Sequence, residues 1–369
     1  MRLIIFLVFM LLTFGSLSYV LWHIWQILPW TTVWRWVAVT VGAMCFLSMF
    51  LIFGGSMDGM PLRMASGVYQ VGTSSLIALL YLVIAFLCID VLCLVKAVPT
   101  DWFRSNGVSA GCIALGIIAL LVAGNLHHRN KVRVPLEITT DKPMAKDYRI
   151  VMMSDLHLGY HHRRAELARW VDMINNEHAD LILIAGDIID ISVRPLLEDG
   201  MAQELRRLNA PVYACLGNHE YYSREEKARN FCDDAGINLL IDTCAVVDES
   251  ICIIGRDDRT NRGRRSLESL VSHAPKELWT IVLDHQPYEL EKAEEAGVDF
   301  QLSGHTHRGQ VWPVSWITDA LYECSWGPWQ RGNTRYYVSS GIGIWGGNFR
   351  IGTQSEYVVA ELTMKNQDR

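Results

Sequence analysis

Tyr148-Arg149-Ile150-Val151-Met152-Met153-Ser154-Asp155-Leu156-His157 is the stretch on which the reading of this chain turns. Its first six residues are mostly apolar and show no helical spacing, and the run stops at a carboxylate and an imidazole. A short apolar run closed by polar residues has the pattern of a strand buried on both faces. The pattern recurs downstream. Leu181 to Ala185 stops at Gly186-Asp187, and Pro211 to Leu216 stops at Gly217-Asn218-His219-Glu220. A run near Thr280 stops at Asp284-His285, and Asp299 to Leu302 stops at Gly304-His305-Thr306-His307. Between these runs, Arg163 to Asn176 carries apolar residues at helical spacing (Leu167, Trp170, Val171, Ile174). Further helices are expected around Ser223 to Ala235 and Glu289 to Ala296, and further strands near Ile237 and Ile251. Strands alternating with helices predict an α/β domain. Ligands of open α/β sheets gather outside one end of the strands, so five strand-ending polar clusters predict one shared site.

The gathered groups are Asp155, His157, Asp187, Asn218, His219, His285, His305 and His307. Carboxylate and imidazole together suit Mn, Fe or Zn, and the oxygen donors extend the choice to Mg. A tetrahedral zinc takes four ligands, so this set exceeds one ion. Two ions about 3.5–4 Å apart, sharing a carboxylate, would use it. Asp-x-His and His-x-His put two side chains on the same side of an extended segment. Singly these signals are weak, since Asp-Leu-His occurs by chance and Gly-Asp is a common turn. Their order, each at the end of a buried run, is what carries weight.

Asp155-Leu156-His157, Gly186-Asp187, Gly217-Asn218-His219-Glu220, Asp284-His285 and Gly304-His305-Thr306-His307 resemble the five blocks of the calcineurin-like metallophosphoesterases. The resemblance covers roughly Arg149 to Thr363. Gly309-Gln310-Val311-Trp312-Pro313 and Ser340-Gly341-Ile342-Gly343 are similar to the membrane-associated bacterial branch. It implies two mixed β-sheets sandwiched by helices. It also implies one metal held by Asp155, His157, Asp187 and His307, and a second held by Asp187, Asn218, His285 and His305. His219 would then be catalytic, stabilising developing charge and protonating the leaving oxygen. The implied cofactor is two divalent ions (Mn, Fe, Zn or Mg), with manganese favoured, and the implied reaction is hydrolysis by an activated hydroxide.

Working outward, the first third of the chain has a different solvent. Half of the 369 residues are apolar, and up to His128 the formal charges are only Arg2, Arg35, Asp58, Arg63, Asp90, Lys96, Asp101 and Arg104. Four apolar stretches match a ~30 Å hydrocarbon core: Leu3 to Leu28, Val33 to Phe53, Ser74 to Val95 and Val108 to Leu126. The first is read as a retained anchor rather than a signal peptide. Trp22, Trp25, Trp30, Trp34 and Trp36 mark a turn at the membrane–water interface. The expected organisation is therefore a four-helix transmembrane anchor over 1–128, a linker over 129–147 with Pro135 and Pro143, and the phosphoesterase domain over 148–369. With both ends on one side, that side holds Arg2, Arg63, Arg129, Lys131 and Arg133 against Arg35, Lys96 and Arg104. This places the catalytic domain in the cytoplasm.

The functional expectation is an integral, multi-pass hydrolase acting on a phosphoester or pyrophosphate bond. Its expected partners are the lipid bilayer and a phosphorylated, lipid-linked substrate. A net charge of −6 gives no sign of a nucleic-acid partner, and the oligomeric state stays unassigned. A non-catalytic metal-binding scaffold would be expected to lack a ligand or His219, and a transporter to pair charges within its spans, where Asp90 stands alone. Asp90 is expected to sit near a helix end or to pair with a polar neighbour. Asp190 is a candidate for orienting a ligand. His161, His162, Arg163 and Arg164 are open between contacts to phosphate oxygens and a solvated helix start, the latter favoured, and His178 and His273 are expected to lie on the surface. Trp312, Trp316, Trp326 and Trp329 are open between a lipid-facing rim, a pocket wall and loop packing. The nine cysteines, without a Cys-x-x-Cys pair, are expected to be free thiols.

Overall fold

The computed structural model describes residues 2–57 and 59–365. The chain divides into two compact units, Met1–Asn125 with Gly346–Asn348, and Leu126–Trp345 with Phe349–Arg369.

The first unit is helical. Helices α1 (Arg2–Ile27), α2 (Thr32–Leu47), α3 (Leu62–Leu94) and α4 (Gly107–Arg129) follow one another, with a 3-10 segment over Ser48–Gly55. Apolar side chains point outward as well as inward: Leu12, Val33, Met44, Leu87, Leu115 and Ile118 are all exposed. Helices apolar all round suit a lipid solvent. Among the described residues, three helical stretches are long and apolar enough to cross a membrane: Thr32–Ile52, Leu62–Leu94 and Gly107–Arg129. The expected first span is helical over Arg2–Ile27, but the side chains of residues 1–9, Arg2 among them, lie outside the described residues, as does Asp58. Helix α3 starts twelve residues before the expected Ser74, because Ser66, Gly67, Gln70 and Gly72 dilute the apolar signal without breaking the helix. Asp90 has polar neighbours on α1. The Tyr19 hydroxyl donates to it at 2.5 Å and His23 Nε2 lies 3.1 Å away.

In the second unit the strands are β1 (Lys131–Thr140), β2 (Tyr148–Met153), β3 (Leu181–Ala185), β4 (Val212–Cys215), β5 (Asn238–Leu239) and β6 (Thr243–Val247). After them come β7 (Ile251–Gly255), β8 (Trp279–Leu283), β9 (Phe300–Ser303), β10 (Gly327–Arg331), β11 (Thr334–Val338) and β12 (Ser355–Met364). They form two six-stranded sheets, ordered β1-β12-β2-β3-β4-β5 and β10-β11-β9-β8-β7-β6. Both are mixed: β2, β3, β4 and β5 run parallel beside an antiparallel β12, and β7, β8, β9 and β11 run parallel with antiparallel edges.

Residues alternate between two cores along β2. Ile150 and Met152 join Leu183, Ile253, Ile281 and Leu302 in one core. Val151 and Met153 join Ile182, Ile184 and the Leu167, Trp170, Val171 and Ile174 stripe of helix α5 (Arg164–Asn175) in another. Burial on both faces is why the run reads as continuously apolar. A third core covers the second sheet with Leu267, Leu270 and Ala293. The α/β sandwich of two mixed sheets between helices is thus present.

One expectation changes. The stretch read as a linker over 129–147 contains β1, paired in parallel with β12 along ten residues. Val132, Val134, Leu136 and Ile138 alternate with exposed Arg133, Pro135 and Glu137. Proline is tolerated because β1 is the edge of its sheet. All nine cysteines are free.

Candidate metal centre

Each expected site residue leaves a strand end. Asp155 and His157 follow β2, Asp187 follows β3, and Asn218 and His219 follow β4. His285 follows β8, and His305 and His307 follow β9. The first three strands belong to one sheet and the last two to the other, so the donors converge where two sets of strand ends meet.

His157 Nε2 lies 3.0 Å from His307 Nε2, 3.8 Å from Asp155 Oδ1 and 3.7 Å from Asp187 Oδ2. His307 Nε2 lies 3.4 Å from Asp155 Oδ1, and His285 Nε2 lies 3.1 Å from Asp187 Oδ2. Ligand atoms of Asp155, His157 and His307 all fall within 4.8 Å of one another, as do those of Asp187, His285 and His305. A group of His157, Asp187 and His219 overlaps both. Asn218 is buried beside them on the turn that also carries His219 and Glu220.

The Asp-x-His and His-x-His pairs converge, but not through the pleat of an extended segment. Asp155, His157, His305 and His307 have φ of +54°, +44°, +70° and +48°, and Asp187 has +53°. Left-handed backbone costs L-residues roughly 1–2 kcal/mol each. Residues held there mark positions that the surrounding structure over-determines.

Hydrogen bonds supply that determination. Asp155 N donates to Gly186 O and His157 N to Asp187 O, each at 3.0 Å, which laces the first block to the second. The Asp155 carboxylate accepts from His305 N at 3.0 and 3.1 Å and from the Ser154 hydroxyl. Asp187 Oδ1 accepts from His219 N at 2.9 Å. Two glycines permit the approach: a Cβ at Gly217 would stand 2.2 Å from Asp187 Oδ1, and one at Gly304 would stand 2.3 Å from Asp155 Oδ2.

Charge is compensated inside the cluster. Burial opposes ionisation of Asp155 and Asp187, yet His307 and His157 around the first, and His285 and His219 around the second, hold both carboxyls well below the usual range. Burial likewise opposes the His157 imidazolium, but Asp155 and Asp190 push it up to about 10. Asp187 overcomes burial to raise His285 as well. Burial and the charge on His285 lower His305 to about 4. The carboxylates therefore demand positive charge that the rings supply only in part.

Whether a metal pair fits can be judged from two atoms. His285 Nδ1 donates to Ala185 O at 2.7 Å, so a neutral ring presents a bare lone pair at Nε2. That atom is buried, has no hydrogen-bond partner among the described residues, and faces Asp187 Oδ2. Two lone pairs at such a distance repel, so the gap holds either the proton that Asp187 draws onto His285 or a cation in its place. Asn218 Oδ1 is also buried without a hydrogen-bond partner among the described residues. Leaving such an acceptor unsatisfied costs about 1–3 kcal/mol. Divalent cations would relieve both, and the donor set fits them.

Several contributors escaped the sequence reading. Glu220 accepts from Asp187 N and Ile189 N at 3.0 Å each and from Gly217 N at 2.7 Å. Its position three residues after Gly217 is a capping-box spacing that was there to be used. Arg350, buried, donates to His307 O at 2.7 Å and Gly343 O at 3.0 Å; no local pattern announces it. Asp190 is where an orienting group would be useful, with Oδ1 3.5 Å from His157 Nδ1 and 3.4 Å from His219 Nδ1. Asp284 instead pairs with Arg256 and Arg264 at 2.9 and 3.2 Å.

The expected solvated helix start does not form as such. His161 and His162 are buried, while Arg163 pairs with Asp199 and Arg164 with Glu204. The α5 stripe packs the chain down at this point, which takes the preceding histidines out of solvent. His178 and His273 are exposed. Trp312, Trp316 and Trp329 are exposed as well, whereas Trp326 Nε1 donates to Glu356 at 3.0 Å.

The profile of the calcineurin-like phosphoesterases matches residues 148–309. A metallophosphoesterase of Helicobacter pylori is 30% identical over 228 residues, 60% of this chain and 61% of that protein. The chain thus spans about three-fifths of the length of that relative. A metallophosphoesterase of Aquifex aeolicus is 30% identical over 62% of this chain and 90% of its own length. A zebrafish protein, Danio rerio "transmembrane protein with metallophosphoesterase domain", is 28% identical over 76% of this chain and 69% of that one. With nine-tenths of the Aquifex protein covered at this identity, and all five donor blocks brought together in space, the chain belongs to the calcineurin-like phosphoesterase family.

Proposed function

We propose that the chain is a membrane-anchored metallophosphoesterase that hydrolyses a phosphoester or pyrophosphate bond in a lipid-linked substrate. One divalent cation would be held by Asp155, His157, Asp187 and His307, and a second by Asp187, Asn218, His285 and His305. The observation that carries this reading is the convergence of two donor groups, Asp155, His157 and His307 beside Asp187, His285 and His305, each with its ligand atoms within 4.8 Å of one another. When bound, such cations supply Lewis-acid polarisation of phosphoryl oxygen and acidify water, with manganese the favoured ion.

The chain's own groups do the rest. Nδ1 of His219 is committed to Asp190 O, which leaves Nε2 to pass a proton to the leaving oxygen. In the balanced step, a water oxygen bonds to phosphorus and releases one proton to solvent, the bond from phosphorus to the leaving oxygen breaks, and that oxygen takes the Nε2 proton, which solvent then restores to His219. The Asp155 and Asp187 carboxylates stay ionised throughout and hold the rings in place.

Lipid linkage draws support from the three helices fit to cross a bilayer. Trp312, Trp316, Ile317 and Leu321, all exposed shortly after the last donor block, add apolar surface suited to acyl chains. The positive residues at and just beyond the end of α4, Arg129, Lys131 and Arg133, favour a cytoplasmic catalytic unit.

The test is turnover of chromogenic mono- and diesters by the full chain in detergent with Mn(II), beside His219→Ala and Asp187→Ala. Both variants should lose activity, and Asp187→Ala should also lose metal. Unchanged turnover in both would remove the mechanism. Lipid linkage is tested with a diacyl phosphodiester in vesicles against its short-chain analogue, and equal rates would remove that part alone.

A further inference from the structure

We propose that His128, His162 and Glu166 form a third cation site, built for a single zinc ion and separate from the pair described above. His128 stands in the last turn of α4 and His162 in the segment before α5, while Glu166 lies in the first turn of α5. All three fall within the second unit. His128 Nε2 lies 3.2 Å from His162 Nε2 and 4.0 Å from Glu166 Oε1. The three ligand atoms lie within 4.8 Å of one another, and both rings are fully buried.

Two Zn–N bonds of 2.0–2.1 Å at a tetrahedral angle place their nitrogens about 3.3 Å apart, close to the spacing between these rings. The outer nitrogens are already committed. His162 Nδ1 donates to Leu156 O and His157 O at 3.1 Å each, which fixes the neutral tautomer with its lone pair on Nε2. His128 Nδ1 lies 2.9 Å from Ser355 Oγ. Metal-binding histidines are held in this way, with one nitrogen hydrogen-bonded and the other presented. Two imidazoles and a carboxylate are a zinc set, and three protein donors leave the fourth tetrahedral position to solvent.

Lys131 is the resident cation of the cluster. Its Nζ lies 3.9 Å from Glu166 Oε1 and 3.4 Å from each ring nitrogen of His128. Equal distance to both nitrogens takes it off either in-plane lone-pair axis, so it blocks neither. A zinc ion takes over its role beside Glu166. Through the two carbonyl bonds of His162, that ion would brace the loop that carries His157.

The experiment uses the full chain in detergent, with the main pair emptied by Asp155→Asn and Asp187→Asn, and reads zinc per chain after dialysis. About one equivalent is expected to remain. Adding His128→Gln should abolish it, Glu166→Gln should weaken it by more than the roughly 10–100-fold that loss of an outer hydrogen-bond partner costs, and Lys131→Met should tighten it. X-ray absorption of the zinc-loaded protein should show two imidazole ligands. No retained zinc, as a proton shared between the rings would give, overturns the proposal. So does zinc that survives both His128→Gln and Glu166→Gln, or a zinc shell without imidazole. Glu166→Gln is isosteric and partly exposed, so its unfolding midpoint separates lost binding from lost fold.

Discussion

Nδ1 of His219 donates to the backbone carbonyl of Asp190 at 3.1 Å and lies 3.4 Å from the carboxylate of the same residue. Burial opposes ionisation of Asp190, yet His157 and His219 hold its carboxyl well below the usual range. It therefore stands as a fixed negative charge behind two site imidazoles. Asp190→Asn keeps the carbonyl contact and removes that charge. Orienting groups of this kind are worth roughly 10–100-fold in activity or metal affinity. The expected outcome is a fall of that size in kcat, read beside metal content to separate the two effects. Wild-type kcat at wild-type metal content would refute the role.

Glu220 joins two donor loops through three buried backbone N–H groups, two on Oε2 and one on Oε1. Glu220→Gln must turn an NH2 toward at least one of them. A buried donor left unsatisfied costs about 1–3 kcal/mol. Chemical unfolding of the metal-free chain should show a loss in that range. Divalent titration should show weaker binding, because Gly217 and Asp187 are no longer tied together.

How much of this was legible in the sequence follows burial. β2, β3, β4, β8 and β9 are largely covered on both faces, so each is a mostly apolar run ending near its candidate donor. β1 is a half-exposed edge whose alternation is masked by Arg133, Pro135 and Glu137, and so it looked like a linker. The candidate donors stood out because each sits in a block with others. The left-handed backbone that makes Asp155 and His157 converge left no such mark, since spacing alone suggests an extended segment. Arg350 was invisible for another reason: its partners are mainly carbonyls, and a carbonyl belongs to every residue.

Arg350 carries a prediction of its own. Its guanidinium reaches His307 O, Gly343 O, Ser340 O and Ser355 Oγ. Burial lowers it to about 10, which still leaves it charged at neutral pH. A planar fork can serve several carbonyls at once, whereas a lysine ammonium is a point donor on a flexible stem. Arg350→Lys is therefore expected to behave like Arg350→Gln, with earlier thermal unfolding and weaker cation binding. Full rescue by lysine would show that charge alone is what the site needs.

Chelation should destabilise the second unit as well as silence it. Ions that bind only the folded chain add RT ln(1 + [L]/Kd), about 2.7 kcal/mol at a hundredfold excess over Kd. Removing them leaves Asp155 and Asp187 compensated by ring protons alone. Differential scanning of the detergent-solubilised chain should show a lower midpoint after chelator treatment, restored by Mn(II). A midpoint indifferent to chelator and metal would mean that the cluster binds no cation.

Lys131 gives the pH dependence a definite sign. Burial, against the opposing pull of Glu166 and with help from Arg350, lowers its ammonium to about 7; an unfolded lysine titrates near ~10.4. Between those values the unfolded chain holds a proton that the folded chain has released, so stability rises with pH across this window. Below the lower value both states are protonated, and the folded chain carries the full cost of the buried charge. Lys131→Met removes the titrating group while keeping a side chain of similar length against Trp170, whose ring the ammonium overlies at 4.9 Å. Unfolding followed from pH 7 to 9.5 in chelator should show wild type gaining on the variant with each step. Parallel curves for the two proteins would place the lysine in solvent rather than in the core between His128 and Glu166.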